Sequence, residues 1–293
     1  LGRPDDALPH IEKALTISHR LALSHGNEAR VALANSLATK QQVLLGMKQY
    51  NEACDILMEL VDLYREFAAG HPEKFRPRLA SALSNLACSL CGCKKHKEAI
   101  EAVEIRRRLG RDNPLKFNAG LAKSLHNLAN NLYACGRAPE AIPYSCEAIE
   151  IRRGLAAKDP SIFKPDLAYS LHNHAQYVGN AGRADEAVEC CQEAVEILCR
   201  LARDNPEKFN TVLAHSLFKL ALNLHICGRG PEAIQFSCEA IEIRRGLAAK
   251  DPSVFEPDLA GSLHNHTKYL ETLGRPQEAL ECRRERDNIR SRL

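Results

Sequence analysis

The chain has 293 residues, 45% hydrophobic and 26% charged, so it is not a disordered segment and has enough apolar mass for a large core. Forty Lys and Arg against 37 Asp and Glu leave a net charge of +3, which argues against a dedicated nucleic-acid or anionic-membrane surface. No apolar run approaches the roughly 18 residues of a transmembrane helix, and the start, LGRPDDALPH, has neither a signal-peptide pattern nor an initiator Met, which reads as a piece of a longer protein.

The organising signal is a repeat. An acidic residue followed by Ala recurs at Ala7, Ala53, Ala99, Ala141, Ala187, Ala233 and Ala279, with spacings of 46, 46, 42, 46, 46 and 46. Leu33, Leu79, Leu121, Leu167, Leu213 and Leu259, each followed by Ala, show the same period. The short interval lacks four residues between Ala99 and Glu104, about one helical turn, which leaves an apolar stripe on nearly the same face. A longer period lies on top. Residues 136–183 and 228–275 differ at 12 of 48 positions, as a duplicated two-repeat block would.

In sequence order, residues 1–30 read as a half-unit holding a second helix only. Helix pairs follow over 31–76, 77–118, 119–164, 165–210, 211–256 and 257–293, all in a single array. Within one unit, Leu121, Leu125, Leu128, Ala129 and Leu132 have helical spacing, Gly136 suits a helix C-terminus and Pro139 a first turn. Ala141, Ile142, Ala148, Ile149, Ile151 and Leu155 form the second stripe, which Lys158-Asp159-Pro160 ends. A loop carrying Phe163 is expected next, plugging the gap between pairs, with the following helix starting at Pro165-Asp166. Phe75, Phe117, Phe209 and Phe255 hold the same place in other units. Arg286 and Asp287 replace the apolar Ala148 and Ile149, so the last pair reads as a C-terminal cap. The N-terminal end has no such cap, which points to self-association there. The expected class is all-α, an α-solenoid of stacked antiparallel helix pairs with a 46-residue repeat.

The pattern N-L-A-x-x-L-x-x-x-G-R-x-x-E-A from Asn127 to Ala141 resembles the tetratricopeptide repeat, and the longer unit resembles the repeats of kinesin light chain. The resemblance covers essentially the whole sequence. It implies a right-handed superhelix whose first helices line a concave groove for extended peptides. The first full unit departs from it, with Thr39, Lys40 and Gln41 in place of Asn-Leu-Ala.

No phosphate-cradling loop, dinucleotide fingerprint, nucleophile elbow or zinc-protease motif occurs, so no enzyme is expected and no cofactor. His172-Asn173-His174 and His264-Asn265-His266 invite a metal reading, but residues two apart on a helix point about 200° apart. The expected roles are one groove-facing and one packed histidine. Cys88, Cys91, Cys93 and His96 have zinc-like spacing, yet Cys93 matches Cys135 and Cys227, a small apolar slot, so no metal is expected. The remaining thiols, Cys146, Cys238, Cys190 and Cys191 among them, read as free and packed, suiting a reducing cytoplasm. The Glu-Ile-Arg-Arg runs at 104–107, 150–153 and 242–245 read as a solvated helix face.

Under the family geometry the groove positions are Ser81, Ser84, Asn85 and Cys88, then Lys123, His126, Asn127, Asn130 and Tyr133. Tyr169, His172, Asn173 and Gln176 come next, followed by His215, Phe218, Lys219, Leu222 and His225, and finally His264, Asn265 and Lys268. Asn amides can pair with a peptide backbone, histidines add switchable donors, lysines meet carboxylates, and Phe218 with Leu222 offers an apolar anchor spot. The expectation is an interaction scaffold for a neutral to acidic protein or peptide segment, with no nucleic acid and no membrane as partner. The alternative is a regulatory or sensor region of a larger signalling protein.

Overall fold

The computed structural model describes residues 4–24, 26–47, 49–89 and 96–292, and among these residues it is all-helical. It divides into two compact units, 1–137 and 138–293. The first holds α1 (Pro4–Ser24), α2 (Gly26–Gly46), α3 (Tyr50–Gly70), α4 (Pro72–Ser89), α5 (His96–Asp112) and α6 (Pro114–Ala134). The second holds α7 (Ala138–Lys158), α8 (Pro160–Asn180), α9 (Ala184–Asp204), α10 (Pro206–Ile226), α11 (Gly230–Lys250), α12 (Pro252–Thr272) and α13 (Pro276–Arg290). Within each unit every helix packs on its sequence neighbours. In addition α4 touches α6, α8 touches α10, and α10 touches α12.

Two kinds of joint alternate, each written in the sequence. The first-to-second turns place Gly136, Gly182, Gly228 and Gly274 at φ 74°, 80°, 75° and 68°, where a side chain would be strained. The next residue closes the motif, as when Arg183 N–H donates to the Val178 carbonyl at 2.9 Å. The second-to-first joints are single residues. Asn113, Asp159, Asn205 and Asp251 cap the following helix by accepting from Lys116, Ile162, Lys208 and Val254 N–H, with Pro next in line.

These joints correct the expected loop around Phe163. With Asp159 as cap and Pro160 at the first position, the helix starts five residues before Pro165, and Phe163 N–H already donates to the Asp159 carbonyl. Pro165 sits inside α8, five residues after its first residue, Pro160. The phenylalanines are helical side chains near the joints. Phe75 is fully buried, 5.0 Å from the Phe67 ring centroid and 6.3 Å from that of Tyr64.

The missing turn shows directly: α5 has 17 residues where α6 to α12 have 21 each. The core consists of the marker residues. Ala141, Ala187 and Ala233 are wholly buried, as are Leu125, Leu171, Leu217 and Leu263, and each such leucine contributes about 2 kcal/mol by burial. On α1, Ile17, Leu21 and Leu23 stay exposed.

Candidate binding surface on the first helices

The expected groove positions fall on α4, α6, α8, α10 and α12. In the first unit, Asn85 of α4 and His126, Asn127, Asn130 and Tyr133 of α6 are half-buried, while Lys123 is exposed. In the second unit, Tyr169 is exposed, and His172, Asn173 and Gln176 of α8 are half-buried. So are His215, Phe218, Lys219, Leu222 and His225 of α10, and His264 and Asn265 of α12; Lys268 is exposed. The contacts of α10 with both α8 and α12 bring the second-unit residues together. His172 Nδ1 lies 2.8 Å from Ser216 Oγ of α10. His215 Nε2 reaches the Asp258 carboxylate of α12 at 3.0 Å, and its Nδ1 lies 2.9 Å from the Thr211 carbonyl.

Two expectations about chemistry are corrected. His172 is not a switchable donor. Burial first, then His215 and Lys219, push its pKa down to about 4, so the ring is neutral near pH 7. His264 is also shifted down, by burial and then by Lys268, Arg286 and Arg290, and its Nδ1 accepts from Arg286 Nη1 at 3.2 Å.

The second correction concerns the arginine runs. Their first arginine is not solvated. Arg152 and Arg244 are 5% and 4% exposed, and donate to the Asp166 and Asp258 carbonyls at 3.0 and 2.8 Å and to Ser170 and Ser262 Oγ. Arg106 similarly donates to the Gly120 carbonyl and to Ser81, Ser84 and Ser124 Oγ. Burial lowers the pKa of all three, that of Arg106 to about 10. A helix-face reading misses this because every third or fourth position of a second helix faces the next first helix, and a long side chain there turns inward. The Arg244 guanidinium also stacks 4.9 Å from the Phe218 ring centroid, so the apolar spot rests on a buried cation. The second arginine does behave as expected: Arg153 and Arg245 are exposed and pair with Glu193 and Glu285.

His174 and His266 are packed, 3% and 6% exposed. Their Nδ1 atoms lie 2.6 and 3.0 Å from Ser145 and Ser237 Oγ, and their Nε2 atoms 3.8 Å from Cys146 and Cys238 Sγ. The zinc-like run from Cys88 to His96 lies outside the residues whose side chains are described. Among the described residues no group of three ligands could hold a metal, and the nine described cysteines are unbridged. Burial raises Cys190 and Cys191 to about 12, the opposite of an activated thiolate. No helix of described residues is long and apolar enough to cross a membrane.

Comparison with known proteins agrees with this architecture. Residues 121–159 and 167–207 match the family described as tetratricopeptide repeat. No curated protein matches the sequence. Three solved structures are similar to it. BtubC (BKLC) from P. vanneervenii is 15% identical, with a TM-score of 0.51 over 99% of this protein and 92% of its own length. A putative kinesin light chain from Podosopora anserina with nearly identical TPR-like repeats is 22% identical, with 0.52 over 75% and 98%. The apo form of RapI is 14% identical, with 0.58 over 99% and 75%. At these identities the likeness is one of fold.

Proposed function

We propose that this protein, which carries tetratricopeptide repeats resembling those of kinesin light chain, is a non-enzymatic scaffold that holds a neutral to acidic peptide segment. The face concerned is formed by α8, α10 and α12. One observation carries the reading: equivalent positions on these three touching helices hold half-buried polar and aromatic side chains, while the leucines and alanines between them close the core. A surface serving solubility alone would gain little from Phe218 and Leu222 one turn apart in its middle.

The chemistry suits an extended segment. The amides of Asn173 and Asn265 can both donate to and accept from a peptide backbone. Lys219 and Lys268 favour carboxylates, and Phe218 with Leu222 seats one apolar side chain. His172, half-buried and neutral, supports the face rather than reading charge.

The test is a selection of extended peptides from a displayed random library on the whole protein. The counter-bait is Asn173→Ala, Lys219→Ala, Asn265→Ala, with its far-ultraviolet circular dichroism matched to the parent. Sequences poor in Lys and Arg, enriched on the parent and lost on the triple variant, support the reading. Equal enrichment on both baits, or a basic consensus, overturns it.

A further inference from the structure

The net charge of +3 averages over an uneven distribution. Segments 71–78 and 106–116 hold eight Lys and Arg against two Asp and Glu. The equivalents of the second segment, 152–162, 198–208 and 244–254, hold three against one or two. Both basic segments belong to the first unit, where they cross the α3–α4 and α5–α6 joints. They therefore share the end of that unit at which second helices stop and first helices start. Arg106 ties the two joints together. It donates to Ser81 and Ser84 Oγ of α4 at 3.0 and 3.1 Å and to the Gly120 carbonyl of α6 at 3.0 Å.

The exposed cations of this end are Lys74, Arg76 and Arg78 on α4, Arg108 and Arg111 on α5, and Lys116 on α6. Arg76, Arg108 and Arg111 have no acidic partner among the described residues, whereas Arg65, Arg153 and Arg245 each pair with a glutamate of the next second helix. Among these cations Leu115, in the first turn of α6, is 79% exposed. At the places of Arg108, Arg111 and Leu115 the duplicated units carry Gly154, Ala157 and Ser161, then Gly246, Ala249 and Ser253. Small, uncharged residues thus suffice to build this joint, and the two arginines and the leucine replace them together.

A patch that served solubility alone would gain nothing from a projecting leucine. A nucleic-acid surface would open aromatic faces to bases. Here the two rings of the joints, Phe75 and Phe117, lie under Lys74 and Lys116, at 5.3 and 5.2 Å. Unpaired cations around one large apolar side chain match a partner that is anionic at its surface and apolar a few ångströms beneath.

We propose that this end of the first unit docks on an anionic lipid bilayer, its cations among the headgroups and Leu115 at the acyl boundary. One leucine with a basic patch gives a reversible, peripheral contact. None of these residues belongs to the α8–α12 face, so the two surfaces can be tested separately.

The experiment floats the whole protein with vesicles of phosphatidylcholine alone or with about one-third phosphatidylserine. Binding is expected to the anionic vesicles only, with release at high salt. Arg108→Gln and Arg111→Gln should each weaken it about fivefold, while Lys158→Gln in the second unit should not. The protein has no Trp, so Leu115→Trp supplies a single reporter. Its fluorescence should shift to the blue on anionic vesicles and be quenched by brominated acyl chains. Equal binding to neutral vesicles, no binding to anionic ones, or a tryptophan that stays in water while the protein is bound would overturn the proposal. So would tighter binding of duplex DNA or RNA than of the vesicles, which would make this a nucleic-acid surface.

Discussion

Lowering the pH should destabilise the second unit through its buried histidines, and His172 allows the size to be worked out. Its ordinary pKa of 6.5 falls to about 4 in the folded protein, chiefly by burial between α8 and α10. The folded ring stays neutral while the unfolded ring takes up a proton, so the unfolded state binds more protons below pH 6.5. The stability it confers is therefore complete above that value and is lost as the pH falls towards 4. At 1.36 kcal/mol per unit the whole shift is about 3 kcal/mol, of which about 2 kcal/mol disappears between pH 7 and pH 5. Burial shifts His174 and His266 the same way, so the parent loses more than this. His172→Phe copies the residue at the equivalent place in α10, Phe218, and removes the titration. Urea unfolding followed by circular dichroism at the two pH values should show a pH-dependent loss about 2 kcal/mol smaller in the variant. An NMR titration of the His172 ring with a midpoint above pH 6, or an undiminished loss in the variant, would refute the reasoning.

Four further outcomes are expected. Gly182→Ala forces a side chain onto φ 80° and should cost about 1 kcal/mol in the same unfolding assay; an unchanged midpoint would contradict the left-handed turn. Arg245→Ala, which breaks an exposed pair with Glu285, should cost below about 1 kcal/mol, whereas Arg244→Ala, which strips donors from Ser262 and the Asp258 carbonyl, should cost about 2–3 kcal/mol; reversed sizes would contradict the burial pattern. His174→Leu restores the residue of α6 and should unfold within about 1 kcal/mol of the parent near pH 7 but above it near pH 5, where a lower midpoint would count against the packed-histidine reading. Elemental analysis of the purified protein should find no stoichiometric zinc, and a zinc signal abolished by Cys91→Ser would show a site in the Cys88–His96 run.

The helices are legible in the sequence because their punctuation is chemical. Gly136 and its equivalents at 46-residue intervals need a left-handed backbone, and Asp159-Pro160 is both a stop and a start. Taking Pro165 as a helix start puts Phe163 in a loop, yet Pro165 lies a turn and a half inside α8, which starts at Pro160. Arg152 escapes the pattern for a related reason: sequence spacing gives the face of a helix but not what covers it, and Ser170 with the Asp166 carbonyl arrives from the next helix. His172 reads in the sequence as a ligand-facing polar residue, and its burial with Ser216, His215 and Lys219 close by marks it as a supporting side chain. The basic joints escape for a different reason: a net charge is a sum, and the acids of the second unit conceal the cations of 71–78 and 106–116.

The bridge from Arg153 to Glu193 recurs 92 residues later between Arg245 and Glu285, as does the buried arginine beside each of them. The intervening second helix has Cys199 and Leu198 at those two places instead. This bridge and its buried arginine therefore recur only when whole four-helix blocks are gained or lost. Excision of 184–275 would bring α13 against α8, whose Leu167, Leu171, His174 and Tyr177 reproduce the Leu259, Leu263, His266 and Tyr269 that α12 offers it now. Arg153 would then meet Glu285 as Arg245 does. The array can thus change length in quanta of 92 residues and keep this bridge and its buried arginine, although the pairs of Arg283 with Glu271 and of Arg292 with Glu256 would lose their acids to Gly179 and Lys164, whereas a change of 46 residues would set an arginine where a cysteine or a leucine belongs.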